Sequence, residues 1–208
     1  MARTGAQWRE LPTRYGKWNS IFQRFNNWSK KHIWEKLLEF CAQDPDMESV
    51  MIDATIVRAH ACAAGYGKQE VEGLGRSRGG FTSKIHAKVD ALGNPLKFII
   101  TPGESSDYKE APELLKDVFD SYVLGDKGYD SNDIRDQLRS QRCIPVIPFR
   151  SNRKVQEEYD KNLYKDRYVV ECFFSKIKQF RRIFSRFDKS ARNFLSFLFF
   201  VGGCIWLR

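Results

Sequence analysis

The chain has 208 residues, of which 42% are hydrophobic, and it includes 16 Phe and 5 Trp. The length suits one domain of ordinary size with a small extension, and the hydrophobic content is ample for a packed core. With 35 Lys and Arg against 26 Asp and Glu, the net charge of +9 favours a polyanionic partner, most often nucleic acid, over a membrane surface, because no compact basic run stands beside an apolar anchor.

Cysteine and histidine usage narrows the compartment and the chemistry. The five cysteines are scattered without a CxxC pair, which favours a reducing compartment, predicted to be the cytoplasm, over a disulfide framework or a zinc site. Three histidines exclude a His-rich metal site, so any metal is expected to have oxygen ligands, as Mg²⁺ and Mn²⁺ do. The apolar segment 194–207 is short for a membrane span and predicts a buried core helix.

Residues 1–45 form the first predicted unit, a small helical segment, and residues 46–208 form the second. Apolar residues recur at helical spacing over 18–28 and again over 33–41, and Asp44 with Pro45 ends the second helix. Two short helices with a basic exterior fit a helix-turn-helix piece and equally a structural lid. The tryptophans of this segment are predicted to be core residues rather than base-stacking groups.

The stretch 49–58 predicts a buried β-strand with an acid inside it. Apolar residues lie on both sides of Asp53, and the pattern resumes at Ile56. An ionised carboxylate in an apolar strand is costly unless a cation or hydrogen bonds stabilise it. We therefore interpret Asp53 as a candidate metal ligand, in preference to an aspartate that caps a loop at the end of the strand.

The middle of the chain predicts a loop and a hairpin. The loop 62–82 is rich in glycine and basic residues but lacks the GK[ST] of a phosphate loop, so it fits a mobile basic flap or a plain loop. Residues 83–101 predict a β-hairpin whose polar face carries Lys84, His86 and Lys88. A helix is expected at 110–119.

A second acid follows the short apolar strand 122–124. Asp126 stands just past the carboxyl end of that strand, where open α/β sheets place ligands, although a simple turn aspartate is the common alternative. A helix at 131–140 with Ser131 as its cap and a strand at 143–147 come next. The basic connection 149–161 then leads to the last part of the chain.

The stretch from Tyr164 to Arg182 predicts an amphipathic helix with an unusual polar stripe. At 100° per residue, one acid, one tyrosine and three cations share an arc of about 60°, opposite a broad apolar stripe. Members of the polar stripe are Tyr164, Arg167, Glu171, Lys178 and Arg182. A solvated helix with i,i+4 charge pairs would explain it in isolation. The cations would hold a phosphate backbone if the acid belonged to an active site.

These elements predict an α/β protein, with a mixed sheet covered by helices on both faces. Asp53, Asp126 and Glu171 can then converge to form a site for hard cations. Two Mg²⁺ ions in such a site stabilise the attacking and leaving oxygens of an in-line phosphodiester displacement. The chain also lacks a convincing Ser–His or Cys–His arrangement, and Cys172 points away from its neighbour Glu171 on the predicted helix.

The chain resembles the DDE transposases of bacterial insertion sequences, in the group named after insertion sequence five. Four blocks carry the resemblance in order and spacing: MIDATIVRAH, GRSRGGFTSKIHAKVDALGNP, GDKGYD and YKDRYVVECFFSKIKQFRRI. The most specific is the signature of Tyr, two residues, Arg, three residues, Glu, six residues and Lys. It is met with every gap correct by Tyr164, Arg167, Glu171 and Lys178.

The resemblance implies a ribonuclease-H-like fold with Asp53, Asp126 and Glu171 as the metal-binding triad. It implies Mg²⁺-dependent cleavage at the ends of a mobile element, with Mn²⁺ as a substitute, followed by attack of the freed 3′-hydroxyl on target DNA. Tyr164, Arg167 and Lys178 would contact the element's terminal repeats. A homodimer or larger assembly on double-stranded DNA is implied, with no membrane partner and with nucleoid association when DNA is bound.

One departure from the family pattern concerns the N-terminus. Members of the group usually carry a further helical region before a segment like RTGAQWRELP, whereas Met1 stands almost directly before it here. We expect a truncated copy, or the second product of a split reading frame. Two alternatives to an active transposase remain open: a two-metal nuclease that cuts without joining, and a non-catalytic DNA-binding regulator of a full-length transposase.

Overall fold

The computed structural model describes residues 1–64, 71–77, 80–151, 153 and 158–208. Part of the predicted glycine-rich flap and of the connection 149–161 lies outside these residues. The helices are α1 (Trp18–Lys30), α2 (Ile33–Cys41), α3 (Ala111–Leu115), α4 (Asn132–Ser140), α5 (Tyr168–Lys178), α6 (Arg181–Phe184) and α7 (Ala191–Trp206). The strands are β1 (Ser49–Ala59), β2 (Gly75–Ser77), β3 (Gly80–Val89), β4 (Pro95–Pro102), β5 (Tyr122–Leu124), β6 (Ile144–Val146) and β7 (Ser185–Arg186).

The strands of the described residues form one mixed sheet of seven strands with β1 near its centre. Strand β1 pairs antiparallel with β3 on one side and parallel with β5 on the other. The hairpin partner β4 lies against β3, and β6 continues the parallel part beyond β5. The prediction of a mixed sheet, with the first strand parallel to the strand before Asp126, is confirmed.

Helices cover both faces of the sheet. This explains why the first half of β1 is a continuous apolar run in the sequence. Val50 and Ile52 pack with α3 and α4 on one face, whereas Met51 packs with α5 and α7 on the other. Because successive side chains of a strand point to opposite faces, a strand buried on both faces is apolar at every position. Ile56, expected inside, is instead 53% exposed, whereas Val57 on the opposite face of β1 is buried.

The N-terminal helices pack against the last helix rather than standing apart. Phe25 of α1 stacks on Phe197 of α7 with ring centroids 4.5 Å apart, and Trp8 contacts both rings. Trp34 lies edge-on to Phe200, with 5.6 Å between the ring centroids. Trp8 and Trp34 are thus core residues, as predicted, although Trp18 and Trp28 are 36% and 40% exposed.

The polar face of the predicted hairpin is buried, which corrects the expectation that His86 lies on an open polar surface. His86 has no solvent exposure, and one of its ring nitrogens, Nε2, lies 2.8 Å from Thr101 Oγ1. Burial lowers the pKa of His86 to about 4, so its ring is neutral near pH 7. Lys84 and Lys88 of the same face pair with Asp107 and Asp117.

The predicted helix at 110–119 is shorter in the structure, where α3 ends at Leu115. The cap prediction for α4 is confirmed, because Ser131 Oγ accepts a hydrogen bond from the backbone N–H of Ile134. The apolar C-terminal stretch forms α7, which is buried along most of its length. None of the helices in the described part of the chain has the length and apolar character needed to cross a bilayer.

Candidate active site

Two of the three predicted acids come together through the register of two parallel strands. Met51 of β1 pairs with Leu124 of β5. Asp53 and Asp126 each lie two residues further along, so both stand at the same edge of the β5 ladder. Asp126 caps a single turn of 3₁₀-helix, where its Oδ1 accepts the backbone N–H of Gly128 at 2.7 Å.

The pKa of Asp53 is raised by its environment. Burial, with smaller contributions from the negative charges of Asp126 and Asp107, raises the pKa of Asp53 to about 6. The backbone N–H of Ala54, which donates to Asp53 Oδ1 at 2.8 Å, and the guanidinium of Arg167 act in the opposite direction. Burial thus disfavours the ionised form of Asp53, and a bound cation would stabilise that form.

Arg167 connects the third acid to the first. Its Nη1 lies 3.2 Å from Asp53 Oδ2, and its Nη2 donates to Glu171 Oε1 one helical turn away. The predicted i,i+4 pair between Arg167 and Glu171 is therefore present. It is part of a three-residue bridge that fastens α5 to β1, because the same guanidinium also reaches the strand.

Lys178 and Tyr164 border this cluster at the two ends of the helical segment. Lys178 Nζ donates to Thr55 Oγ1 at 2.6 Å, and Thr55 lies on the same face of β1 as Asp53. The guanidinium carbon of Arg167 lies 5.9 Å from the ring centroid of Tyr164. The contacts thus connect Asp53, Glu171, Tyr164, Arg167 and Lys178, and Asp126 lies near enough to Asp53 to affect its pKa.

Arg182 is the exception, and its placement corrects the prediction of one helix from Tyr164 to Arg182. Helix α5 ends at Lys178, and Phe180 has extended backbone angles, so the direction of the side chains changes before Arg182. Arg182 is 5% exposed, pairs with Asp188 through two hydrogen bonds of 3.0 Å, and donates to the carbonyl of Ala6. These contacts leave its guanidinium unable to reach a DNA backbone.

The chemistry of the donors suits a hard divalent cation. Asp53, Asp126 and Glu171 offer only carboxylate oxygens, the ligands that Mg²⁺ and Mn²⁺ prefer. Within the described residues, no three acidic, His or Cys side chains converge closely enough to form a ready metal cage. Arg167 stands between Asp53 and Glu171 and supplies the positive charge there.

Two residues near the site were missed by sequence reasoning. Thr55 could have been found, because a period of two places it on the same strand face as Asp53. Asp107 raises the pKa of Asp53 from a separate 3₁₀-helix, Asp107–Lys109, and no sequence signal links the two positions.

Comparison with protein families gives two matches. The model described as "Transposase DDE domain" matches residues 44–201, which include all three acids. A second model, described as "Putative transposase of IS4/5 family", matches residues 1–38.

Curated relatives point in the same direction. The chain is 38% identical over 132 residues to a putative transposase for insertion sequence element IS6501 from Brucella ovis, covering 61% of this chain and 99% of that protein. It is 32% identical over 121 residues to a putative transposase for insertion sequence element IS402 from Burkholderia cepacia, covering 52% of this chain and 55% of that protein.

Among solved structures, the chain is similar to piggyBac transposase in a synaptic complex with hairpin DNA. The TM-score is 0.56 at 13% sequence identity, over 84% of this chain and 49% of that one. At this identity the likeness shows a shared ribonuclease-H-like fold. The chain spans about half the length of the piggyBac protein and of the IS402 relative.

Proposed function

The chain belongs to the transposase DDE domain family, and on that premise we propose that it cleaves DNA at the ends of an insertion element and joins the freed 3′-hydroxyl to target DNA. The observation that carries this proposal is the placement of Asp53 on β1 and of Asp126 just past the end of the adjacent parallel strand β5, with Glu171 connected to Asp53 through Arg167. Two carboxylates at one end of the parallel strands and a third on the helix that packs over β1 suit phosphoryl transfer, which depends on positioning and charge neutralisation.

In this proposal, Asp53, Asp126 and Glu171 hold two Mg²⁺ ions, for which Mn²⁺ can substitute. When bound, such a pair of ions stabilises the attacking and leaving oxygens of an in-line displacement. The residues of the chain prepare the site for this role. Asp53 is largely buried and lies near Asp126, so an added positive charge would stabilise its ionised form.

The cations of the site would hold the DNA backbone. Lys178 Nζ and the Arg167 guanidinium lie on the face of β1 that carries Asp53, and both can turn toward a phosphate. Tyr164, beside Arg167, would contact the element's end. Arg182 has no part in this surface because it is buried against Asp188.

The proposed partners are double-stranded DNA, in the form of the element's terminal inverted repeats and the target, and a second copy of the chain. The net charge of +9 supports attraction to DNA. Two copies of the chain would supply one active site for each end of the element, as a homodimer or a larger assembly on DNA.

The test is cleavage and joining of a labelled DNA that carries the element's terminal repeats, with Mg²⁺ and with EDTA. We expect Asp126→Asn and Glu171→Gln to abolish cleavage and to retain DNA binding, because each removes a ligand charge and keeps the side-chain shape. Glu113→Gln is a matched control, since both glutamates are 56% exposed and ion-paired. Substantial nicking by Glu171→Gln would overturn the assignment of the acids.

The same assay separates the remaining functions. Cleavage without joining, even of a pre-nicked end, would identify a two-metal nuclease. DNA binding without cleavage by the unsubstituted chain would identify a non-catalytic regulator.

A further inference from the structure

The carboxylate of Asp126 depends on a very short piece of backbone. Residues 126–129, here called the Asp126 turn, contain a three-residue 3₁₀-helix that Asp126 itself caps. The fit is close, because a Cβ at Gly128 would lie 2.8 Å from Asp126 Oδ1. So short a helix has little stability of its own, and external contacts must hold its conformation.

Arg150 supplies two of those contacts. Its Nε donates to the carbonyl of Lys127 at 3.2 Å, and its Nη2 donates to the carbonyl of Gly128 at 2.6 Å. Arg150 lies on the segment that follows β6. Its guanidinium group therefore donates to two successive carbonyls of the Asp126 turn. The guanidinium carbon of Arg150 also lies 5.8 Å from the ring centroid of Tyr108, the residue that follows Asp107.

A buried acid fixes the backbone from which Arg150 reaches the turn. Asp130 has no side-chain exposure, and its Oδ2 accepts the backbone N–H of Arg150 at 2.9 Å. Its Oδ1 accepts hydrogen bonds from Arg135 and Arg153, each at 2.9 Å. Both guanidinium groups also lie over the ring of Phe149, at 4.6 and 5.8 Å from its centroid.

We propose that Arg150 is a positioning residue for Asp126: its guanidinium clamps the Asp126 turn from outside, and Asp130 anchors the clamp. The inference rests on the proposed function in one respect, that Asp126 is a metal ligand. Side chains that orient metal ligands contribute about 10- to 100-fold to metal affinity or activity. Arg150 would act in this way through the backbone, without touching the metal or the substrate.

The competing explanation is that Arg150, an exposed cation, binds a DNA phosphate directly. The two roles predict different effects of the substitution Arg150→Lys. Lysine keeps the charge but cannot bridge two carbonyls as the planar guanidinium fork does. A phosphate contact would therefore be largely kept in Arg150→Lys, whereas the clamp would be lost.

The experiment compares Arg150→Ala and Arg150→Lys with the unsubstituted protein in three measurements: hydrogen exchange at the Gly128 amide, Mn²⁺ affinity by calorimetry without DNA, and DNA affinity without metal. Arg142→Ala is the matched control, because Arg142 is exposed and makes two hydrogen bonds of 2.6 Å to Asp120 at the far end of β5. Since Arg150 is exposed, its variants are expected to fold.

We expect both Arg150 variants to show exchange at Gly128 about tenfold faster and Mn²⁺ affinity about tenfold weaker, with DNA affinity within about twofold. The Arg142 control should change none of the three. Unchanged exchange and Mn²⁺ affinity, with DNA affinity lost in Arg150→Ala and kept in Arg150→Lys, would overturn the proposal. If the unsubstituted protein binds Mn²⁺ without cleaving DNA, the proposed function fails, while exchange at Gly128 still decides whether the clamp exists.

Discussion

Lys178 and Arg182 show how two cations of one predicted stripe acquire different roles. Lys178 is the last residue of α5 and reaches Thr55 beside the acids. Arg182 lies beyond the break at Phe180, and its guanidinium is enclosed by Asp188, Trp8 and Phe197. Sequence spacing alone places Lys178 and Arg182 on the same helical stripe, because the apolar periodicity continues past Phe180. In the structure the helix has already ended at Lys178.

Arg182→Ala is expected to reduce the free energy of unfolding by about 3–5 kcal/mol, because it leaves the buried carboxylate of Asp188 unpaired. Lys178→Ala should change stability by less than about 1 kcal/mol, since its bond to Thr55 is a single partly buried contact. Chemical denaturation measures both values.

Lys178→Ala is also expected to weaken DNA binding or cleavage and leave Mn²⁺ affinity unchanged. Unchanged DNA affinity together with unchanged cleavage would place Lys178 outside the active face. A stability loss below about 1 kcal/mol in Arg182→Ala would show that the buried pair is not structural.

At the scale of elements, the β3–β4 hairpin helps to set the position of helix α5. Gly93 of its turn has a φ of +81°, and a methyl group there would lie 2.8 Å from Val169 Cγ1 of α5. The hairpin and α5 are far apart in sequence. The turn chemistry was readable from Leu92–Pro95, whereas its contact with α5 was not.

Gly93→Ala is expected to destabilise the protein by about 1–3 kcal/mol, through the positive φ and through the close contact with Val169. The same substitution in a Val169→Ala background is the matched control, because it keeps the positive φ and removes the close contact. Thermal unfolding of both variants measures the difference. Equal losses would mean that α5 adjusts freely to the hairpin turn.

At the scale of the whole molecule, the N-terminal helices share a core with α5 and α7. Phe25 and Leu38 belong to the same buried cluster as α5 and α7. The predicted division at residue 45 therefore separates segments of sequence whose apolar faces are packed together. Such packing predicts one cooperative unit rather than two.

Guanidinium unfolding followed by two probes tests this cooperativity. Four of the five tryptophans lie in residues 1–45, so fluorescence mainly reports that segment, whereas far-UV circular dichroism reports all helices and strands. We expect the two transitions to coincide, and Phe25→Ala to shift both by about 3–5 kcal/mol. An earlier fluorescence transition would instead show an independently folding N-terminal segment.

The sequence by itself determined the features that depend on residues close together in the chain. An apolar run predicted β1, alternation of polar and apolar residues with turn chemistry predicted the hairpin, and helical periodicity predicted the helices. The Ser131 cap and the Arg167–Glu171 pair depend on spacings of three and four residues. Asp53 was singled out as a charge in an apolar strand, Asp126 by its position just past a strand end, and Glu171 as the one acid in the basic stripe of a helix.

Only the tertiary structure decided the features that depend on distant segments. The parallel register that aligns Asp126 with Asp53 joins positions more than 70 residues apart. The burial of His86 and Arg182 and the clamp of Arg150 on the Asp126 turn arise in the same way. Burial and hydrogen-bond partners depend on which elements pack together, and local sequence patterns predict the elements but not their contacts.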